Sequence, residues 1–391
     1  MAIQGIFASH QGIVGNRVGD FASAILAINP SGSAPLLALT SGMPNEAAND
    51  TTVTWFEENH ISGRTAAVSG GVTTTVTVVD SSSFVPGTIL LIEASGEILY
   101  VTANAGNVLT VIRGMSGTTV VAITGTDFAQ QIGNGYEEGS SKPTAYVNQG
   151  YPRANVTQIF RNAWAITGTT KAVTFHTGSQ VAKNKQDCAN FHAEDKERAM
   201  MFGKKHVGQI NGKQLRLMDG VVTQIAQYNG TVTIAGATTS MAQFRVFLQA
   251  IFSKNVRGQP NERIAYSGNG ALAVLNEAAR KDVTYQMFEP QEAFGIKFTR
   301  FVTPFGEIKV MTHPLMTESP NWTRDLHVLH PGGIKKRTLR PTFSENYDSD
   351  GNRILGQDSD EGYISTEFTL ALMAGQTMGS LLQLTAPLAS A

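Results

Sequence analysis

The sequence has a single cysteine, Cys188, among 391 residues. One thiol excludes a disulfide framework and any zinc or iron–sulfur site that needs several cysteines, and it suits assembly in a reducing cytoplasm. Uncharged apolar runs are too short to cross a membrane as a helix. The first ten residues contain no lysine or arginine, so they lack the basic start of a secretory signal. We therefore expect a soluble protein with no membrane contact.

Lysine is absent before Lys142, which divides the charge of the chain. Residues 1–141 hold three basic and eleven acidic residues, a net charge of −8, whereas residues 142–391 hold 27 basic and 20 acidic residues, a net charge of +7. Such a division indicates either a half that binds nucleic acid or copies that associate acidic part to basic part. We favour self-association because the basic residues are dispersed rather than clustered.

Charged residues are only 16% of the chain and glycine is abundant, at 39 residues, which is typical of β-rich proteins. Short β-branched runs separated by Gly, Asn, Ser and Pro lie at Val72–Val79, Thr88–Ile92, Glu97–Thr102, Val108–Ile112 and Val120–Ile123. This spacing predicts a small antiparallel sandwich or barrel. The pattern Asp80-x-x-x-Phe84-x-x-Gly87, followed by Arg113-Gly114-x-x-Gly117, resembles a β module inserted in structural proteins of tailed bacteriophages.

The segments around this module have different patterns. Residues 51–65 and 134–165 alternate like one long β-hairpin whose tip the module, residues 66–133, replaces. A helix is predicted over 179–205, with Thr177 and Gln180 at capping-box spacing; its few apolar residues predict that it lies along a sheet or a surface. Helical and strand patterns then alternate through 216–325, strands follow as far as residue 373, and 374–384 is helix-prone.

The order of these elements resembles the major capsid protein of tailed bacteriophages, whose fold is shared with the herpesvirus capsid floor. The residues that carry the resemblance are Asn155-Val-Thr-Gln-Ile-Phe160, Ile166-Thr-Gly-Thr169, Thr303-Pro-Phe-Gly-Glu-Ile-Lys-Val310, Leu339-Arg-Pro341 and Glu367-Phe-Thr-Leu370. Each motif alone is weak, and their order over roughly residues 50–385 carries the resemblance. The chain is most similar to the subgroup with a β module inserted in the hairpin loop.

The resemblance implies an α+β fold with five parts. These are an N-terminal arm (1–50), an extended hairpin loop (51–65 and 134–165), an inserted β domain (66–133), a peripheral domain (166–215 and 326–391, with a spine helix at 179–205) and an axial α/β domain (216–325).

The resemblance also implies a function. Copies would assemble as hexamers and pentamers into an icosahedral shell around packaged double-stranded DNA. Portal and scaffolding proteins, and a decoration protein, are the other partners it implies, with weak non-specific contact to DNA. The shell would form in the host bacterial cytoplasm and persist in the virion. The alternatives are another virion part, such as a tail-tube or decoration protein, and a nucleotide-binding enzyme.

The enzyme alternative rests on Gly268-Asn-Gly270-Ala-Leu-Ala273, which follows a short strand and opens a helix, as in G-x-G-x-x-A dinucleotide sites. No acidic residue about 20 positions further on ends an apolar strand, so a plain helix-opening turn explains the motif better. The sequence contains no Walker loop and no nucleophile elbow. We therefore expect no catalytic residue and no cofactor.

Three other groups resemble binding sites. Cys188 and His192 stand four apart on the long helix, but two ligands do not make a zinc site, so we expect a core thiol beside a surface histidine. Asn346-Tyr-Asp348-Ser-Asp350-Gly351 mimics a calcium loop, but its twelfth position is Gln357, so a polar turn is favoured and no metal is expected. The basic run Lys335–Arg340 is interpreted as a solvated strand edge, or else as a subunit- or DNA-facing patch.

Some capsids of the resembled fold join a lysine of the hairpin loop to an asparagine of a neighbour. Here Lys142, the first lysine, lies near the base of the returning strand rather than at the tip of the loop. Arginine cannot substitute, because its guanidinium stays protonated. We expect a shell without covalent cross-links.

Overall fold

The structure, a computed structural model, describes residues 36–37, 40, 46–58, 62–143, 145, 148–175, 178–228, 230–234, 241–256, 258–281, 291–293, 296–303, 305–347 and 358–385. The chain divides into two compact units, one of residues 56–153 and the other of residues 1–55 with 154–391. Among the described residues, no helix is long and apolar enough to span a membrane. Strands and helices are numbered below in chain order.

Residues 64–134 form a closed antiparallel β-barrel with strand order β3-β4-β7-β6-β5-β8. Its strands are β3 (Arg64–Ser69), β4 (Thr75–Val78), β5 (Thr88–Ile92), β6 (Ile98–Ala105), β7 (Val108–Met115) and β8 (Phe128–Asn134). Alternate residues are buried, as in β5, because successive side chains of a strand point to opposite faces. The barrel has its own core, which includes Phe84, Leu90, Leu99 and Val111.

The two strands that enter and leave the barrel pair with each other. Ala66 of β3 pairs with Phe128 of β8, and the Gln131 N–H donates to the Gly63 carbonyl at 2.6 Å. Outside the barrel, β2 (Thr52–Glu57) and β9 (Tyr151–Val156) form a two-stranded sheet. The sequence therefore enters and leaves the barrel at adjacent points.

A four-stranded sheet carries the long helix. Its order is β1 (Glu46–Ala47), β19 (Ile334–Tyr347), β20 (Ser359–Leu372) and β10 (Gln158–Thr167). Helix α2 (Gln180–Phe202) packs on β10 and β20. The aromatic rings of Phe160 and Phe368 stack at 5.1 Å within a core that includes Met200 and Met201 of the helix. The expectation that the helix lies along a sheet agrees with this packing.

The ends of helix α2 differ from the predicted ones. Its N-cap is Ser179, whose side chain accepts the Ala182 N–H; the predicted cap Thr177 lies outside the described residues. The helix has 23 residues, about 34 Å at 1.5 Å per residue. It ends at Phe202, three residues before the predicted end, because Gly203 turns the chain where a side chain would collide with the Ala199 carbonyl.

The second large sheet has seven strands, in the order β13-β21-β18-β14-β17-β16-β15. They are β13 (Thr231–Ile234), β14 (Glu262–Ser267), β15 (Gln291–Ala293), β16 (Ile296–Thr303), β17 (Gly306–Thr312), β18 (Leu326–Leu329) and β21 (Gly379–Leu382). Helices α4 (Met241–Phe252) and α5 (Asn269–Lys281) supply Phe244, Leu248 and Leu275 to its core. This sheet and its helices are the α/β part that the sequence predicts.

Two predictions about the end of the chain are wrong. Residues 374–384 are not helical: a 3-10 turn over Gly375–Thr377 precedes strand β21, whose residues are nearly all buried. The predicted axial segment stops at residue 325, yet β18 and β21, from the chain beyond it, lie in the same sheet as β14. When a strand joins a sheet whose other strands are distant in sequence, the sequence near residue 325 does not show that the domain continues beyond it.

Smaller elements complete the described chain. They are α1 (Gly168–Ala172), β11 (His206–Ile210), β12 (Lys213–Leu217), α3 (Val221–Gln227) and α6 (Pro314–Glu318). Strands β11 and β12 form a separate two-stranded sheet.

Candidate functional site

The Gly268–Gly270 turn cannot hold a phosphate, because its backbone amides are already used. The N–H groups of Gly268 and Ala271 donate to the carbonyls of Asp325 and Thr323. Those of Asn269 and Gly270 donate to the hydroxyls of Thr317 and Thr323. The segment that supplies these acceptors also occupies the space in front of both glycines. The turn is therefore the packed start of a helix, which is the interpretation that its sequence favours over a dinucleotide site.

His192 is buried at 2% exposure, so the expectation of a surface histidine is wrong. Its Nδ1 lies 2.8 Å from Asn162 Oδ1, and its Nε2 lies 2.8 Å from the Thr366 hydroxyl. The Asn162 amide donates to Asp195, so its oxygen accepts the Nδ1 proton and Nε2 accepts the hydroxyl proton. Both ring nitrogens are engaged, and no metal-ligating group of three or more residues occurs among the described residues.

This arrangement requires a neutral imidazole. Burial, and secondarily the charge of Lys196, lower the pKa of His192 to about 4. Cys188, one turn earlier on the helix, is buried beside Trp164 and Ile166, and burial raises the pKa of its thiol. The pair is a core thiol and a core histidine, and neither is placed as a nucleophile.

The basic run Lys335–Arg340 is not a solvated edge. It forms the first half of β19, which β1 covers on one side, with Glu46 opposite Arg337, and which β20 covers on the other. Glu46 forms ion pairs with Lys335 and with Arg337, the latter at 2.6 Å. Lys335 and Arg337 thus share one carboxylate of the same chain, and Arg340 is paired with Glu367, so the run offers DNA less free positive charge than its sequence suggests.

The calcium-like segment lies mostly outside the described residues. Only its first two positions are described: Asn346 and Tyr347 end β19 and pair with Gly362 and Glu361 of β20. Residues 348–351 and 357 lie beyond the described ranges.

Glu367 joins three segments at the centre of the four-stranded sheet. Its Oε1 accepts from the Thr157 hydroxyl at 2.9 Å and from the Arg216 guanidinium at 3.0 Å. Its Oε2 accepts from Arg340 at 2.7 Å. Burial alone would raise the pKa of Glu367, but these donors lower it overall. The carboxylate thus holds the base of the β11–β12 hairpin against β20.

Glu197 anchors the start of the described chain. Its carboxylate accepts the backbone N–H groups of Leu36 and Leu37, each at 2.7 Å. The same carboxylate lies 2.8 Å from His313 Nε2, and both side chains are fully buried. Two adjacent amides and one ring nitrogen satisfy most of what a buried carboxylate needs. Residues 36 and 37 are thereby fixed to the C-terminal third of the long helix.

Sequence reasoning did not identify Glu197 or Glu367 as anchors. Arg340 is 27 residues from Glu367, but the other partners of the two glutamates lie 116 to 210 residues away along the chain. A glutamate in a polar helix and a glutamate in a strand are ordinary in isolation. The only local signal is that Glu367 interrupts the buried end of strand β20 with a charge.

A third buried carboxylate lies in the barrel. Glu97 is fully buried and pairs with Arg113 at 2.7 Å, and it also accepts the N–H groups of Gly114 and Val121. Arg113 in turn donates to the carbonyls of Gly71, Thr73 and Val121. The pair closes one end of the barrel by joining four chain segments.

Known capsid proteins are similar to this chain in sequence. A sequence model described as SU10 major capsid protein matches residues 7–385. The curated major capsid protein of Pseudomonas phage PaMx41 is 30% identical over 305 residues, which cover 76% of this chain and 73% of that protein.

Two solved structures are similar in fold. The capsid of the cyanophage P-SCSP1u has a TM-score of 0.50 and 9% identity, covering 97% of this chain and 99% of that chain. A structure from Mycobacterium phage Adephagia has a TM-score of 0.50 and 10% identity, covering 98% of this chain and 100% of that chain. At such identities the likeness concerns the fold alone.

Proposed function

Because this chain belongs to the SU10 major capsid protein family, we propose that its copies tile as hexamers and pentamers into a closed icosahedral shell. The shell would enclose the double-stranded DNA genome of a tailed bacteriophage. The recognition of a capsid protein from the order of its motifs is confirmed, and so are the α+β class and the capsid fold. The chain is a major capsid protein of a tailed phage and a component of the virion.

The observation that carries this proposal is the extent of the family match. It runs over residues 7–385 and so includes both compact units and the barrel. The described chemistry supports a structural role: the buried carboxylates of Glu97, Glu197 and Glu367 all bind parts of the same chain. We propose no catalytic activity and no cofactor.

Assembly would use residues 1–35 and the β2–β9 sheet. Residues 1–35 precede the point where Glu197 fixes the chain, and they are long enough to reach over a neighbouring copy. In the β2–β9 sheet, the side chain of Phe56 is 76% exposed. An exposed apolar side chain of this size suits contact with another subunit. Repeated small contacts of this kind around each subunit would stabilise a shell without one dominant interface.

Self-association is the partnership that the family supports. We propose portal and scaffolding proteins as further partners, and a decoration protein as an optional one. Contact with packaged DNA would be weak and independent of sequence, through dispersed lysine and arginine side chains. Assembly would take place in the host bacterial cytoplasm.

The test is to express the full chain in bacteria, alone and with a scaffolding protein, and to image the purified material by negative stain. Closed round shells are the expected result. Tubes or flat rings would favour a tail-tube component instead. A nucleotide-induced rise in melting temperature would revive the enzyme alternative, although the occupied amides at Gly268–Ala271 oppose it.

A further inference from the structure

The hairpin β11–β12 is a preformed exposed element. Its two-residue turn has positive φ at Asn211 (53°) and Gly212 (72°), as a type I′ hairpin turn requires. No other described strand pairs with β11 or β12. A lone hairpin is marginal in water, and this one is held at its base, where Arg216 donates to Glu367 and the Lys205 N–H donates to Asp219.

The surface of the hairpin combines exposed aliphatic side chains with positive charge. Val207 is 52% exposed and Ile210 is 58% exposed. They stand three residues apart in one strand, so they lie on opposite faces of the hairpin. Between Gly203 and Met218 the chain holds four lysines or arginines and one histidine but no acidic residue. Such an element suits contact with a protein surface that offers apolar side chains and carboxylates.

A recess of matching chemistry lies in the other unit. A groove of about 330 Å³ runs between the barrel and the segment that follows it, and is lined by Pro86, Tyr100, Thr102, Tyr136, Glu137 and Lys142 among others. The ring of Tyr136 lies against Gly87, where any Cβ would collide with it. Glu137 and Glu138 are exposed, and neither has an ion-pair partner within the described part of the chain.

We propose that the tip of the β11–β12 hairpin, Ile210–Lys213, docks into this groove of a second copy of the chain. Ile210 would cover the tyrosine-lined wall, and Lys213, which pairs with Ile210 at the tip, would form an ion pair with Glu137 or Glu138. The proposal rests on the shell proposed above, since it names one contact between neighbouring subunits. It also gives a location to the acidic-to-basic association that the charge division predicts.

Protein is a better partner for this hairpin than DNA. Phosphate contacts gain from lysine but not from an exposed isoleucine, whereas a protein groove would also bury Ile210. The acidic residues at the groove complement the hairpin, and they would repel DNA. The partner is a second copy because a shell brings many copies of both elements together.

The first experiment uses a water-soluble carbodiimide, which joins an amine and a carboxylate only where they touch. Wild-type particles and dissociated subunits are treated in parallel, and peptides are identified by mass spectrometry. The expected product joins Lys213 to Glu137 or Glu138 in particles and is at least tenfold less abundant in dissociated subunits. An equal yield in dissociated subunits, or no such product in particles, overturns the proposal. If wild-type chains form no particles at all, the proposed function itself fails.

The second experiment reverses the charges. Lys213→Glu should reduce particle yield at least tenfold, and adding Glu137→Lys with Glu138→Lys should restore most of it. Lys183→Glu, at an exposed position of helix α2, is the matched control, and circular dichroism checks that each subunit is folded. Normal yield from the Lys213 variant, or no recovery in the three-residue variant, overturns the contact. Normal shells that retain less DNA would assign the hairpin to DNA instead.

Discussion

Buried charges in this protein lie where sequence-distant segments meet. Arg263 is fully buried and donates to the carbonyls of Thr377, Lys254 and Glu262. Burial lowers the pKa of Arg263 to about 10, and the guanidinium remains charged at neutral pH. A charge held by carbonyls or amides costs free energy unless every donor and acceptor is in place. Such groups therefore favour one arrangement of the segments they join.

The barrel offers a direct test of this principle. Replacing Glu97 by glutamine leaves Arg113 buried without its carboxylate, so the free energy of unfolding should fall by about 3–5 kcal/mol. Hydrogen exchange of residues 98–121, followed by mass spectrometry, would detect the loss within the barrel. The matched control is Glu93→Gln, which breaks an exposed pair with Arg64 and should change exchange little. Equal effects of the two substitutions would contradict this account.

Three buried histidines predict how stability depends on pH. Burial chiefly lowers the pKa of His192, His327 and His330 to about 4 each. The unfolded chain, with a histidine pKa near 6.5, then binds more protons than the folded chain between about pH 6.5 and 4. Stability should be complete above this window and should fall as pH decreases through it, by about 2 kcal/mol per histidine at pH 5.

Calorimetry of unassembled subunits at pH 7 and pH 5 measures this loss. The lowered pKa values of Glu97 and Glu367 act only below about pH 4.5, so they do not obscure the comparison. His192→Gln keeps a donor and an acceptor at that position and should reduce the difference between the two pH values. An undiminished difference would show that His192 is not one of its sources.

At the scale of single elements, the barrel is the most separable part of the chain. It has its own hydrophobic core, its six strands form a closed sheet, and its first and last strands pair with each other. Replacing residues 64–134 by a short Gly/Ser turn should therefore leave the remainder folded. Circular dichroism and thermal unfolding of the shortened subunit would show one cooperative transition, with a melting temperature within a few degrees of the full chain.

A control removes a part that is not separable, by replacing residues 326–372, which run from β18 through β20 in the two sheets, with the same Gly/Ser turn. That variant should not fold. If excision of the barrel alone also unfolds the chain, the barrel is part of the main core. We further expect the barrel to project from the outer surface of the shell, which electron microscopy of shortened and full particles would show by difference.

Local sequence patterns predict most of the strands and helices, because the side chains of these elements repeat with a fixed period along the chain. Strands β5 to β7, helix α4 and the turn at Gly306 follow from alternation, helical spacing and turn residues. The failures lie where tertiary contacts decide. Strand β21 lies within residues 374–384, which look helix-prone in sequence, but its place between β13 and β18 makes it a strand.

The candidate sites show the same limit. Lys335 and Arg337 look like a free basic edge until β1, nearly 300 residues earlier, pairs beside them. His192 looks exposed on a polar helix until Asn162 and Thr366 surround its ring. The turn at Gly268–Gly270 differs from these two cases, because its motif is already incomplete in the sequence and its backbone amides have partners in the fold.

At the scale of the whole molecule, the first part of the chain should determine whether subunits close into shells. Deleting residues 1–45 should leave soluble subunits and abolish closed particles, as judged by negative stain and sedimentation. It also removes Leu36 and Leu37 and leaves the buried Glu197 with fewer donors, so the subunit should melt at a lower temperature.

Deleting only residues 1–34 separates these two effects. This shorter truncation keeps the amides that Glu197 accepts, so the subunit should melt close to the full chain. It should still form no closed particles, because the segment that would reach a neighbour is gone. Normal shells from either truncation would count heavily against a role of this segment in assembly.

The way in which the shell is held together gives the last prediction. An isopeptide bond from the hairpin loop would need an amine near its tip, yet residues 1–141 contain no lysine. Lys142 lies in the segment between β8 and β9, after the barrel. We therefore expect non-covalent contacts alone, with a salt-sensitive share from the division of charge along the chain. Mature particles boiled in detergent should give one band near 41.8 kDa, and particles in about 1 M salt should dissociate at a lower temperature than in 0.1 M salt. A ladder of covalent oligomers that survives boiling would show that another amine forms the bond and that the loop argument is wrong.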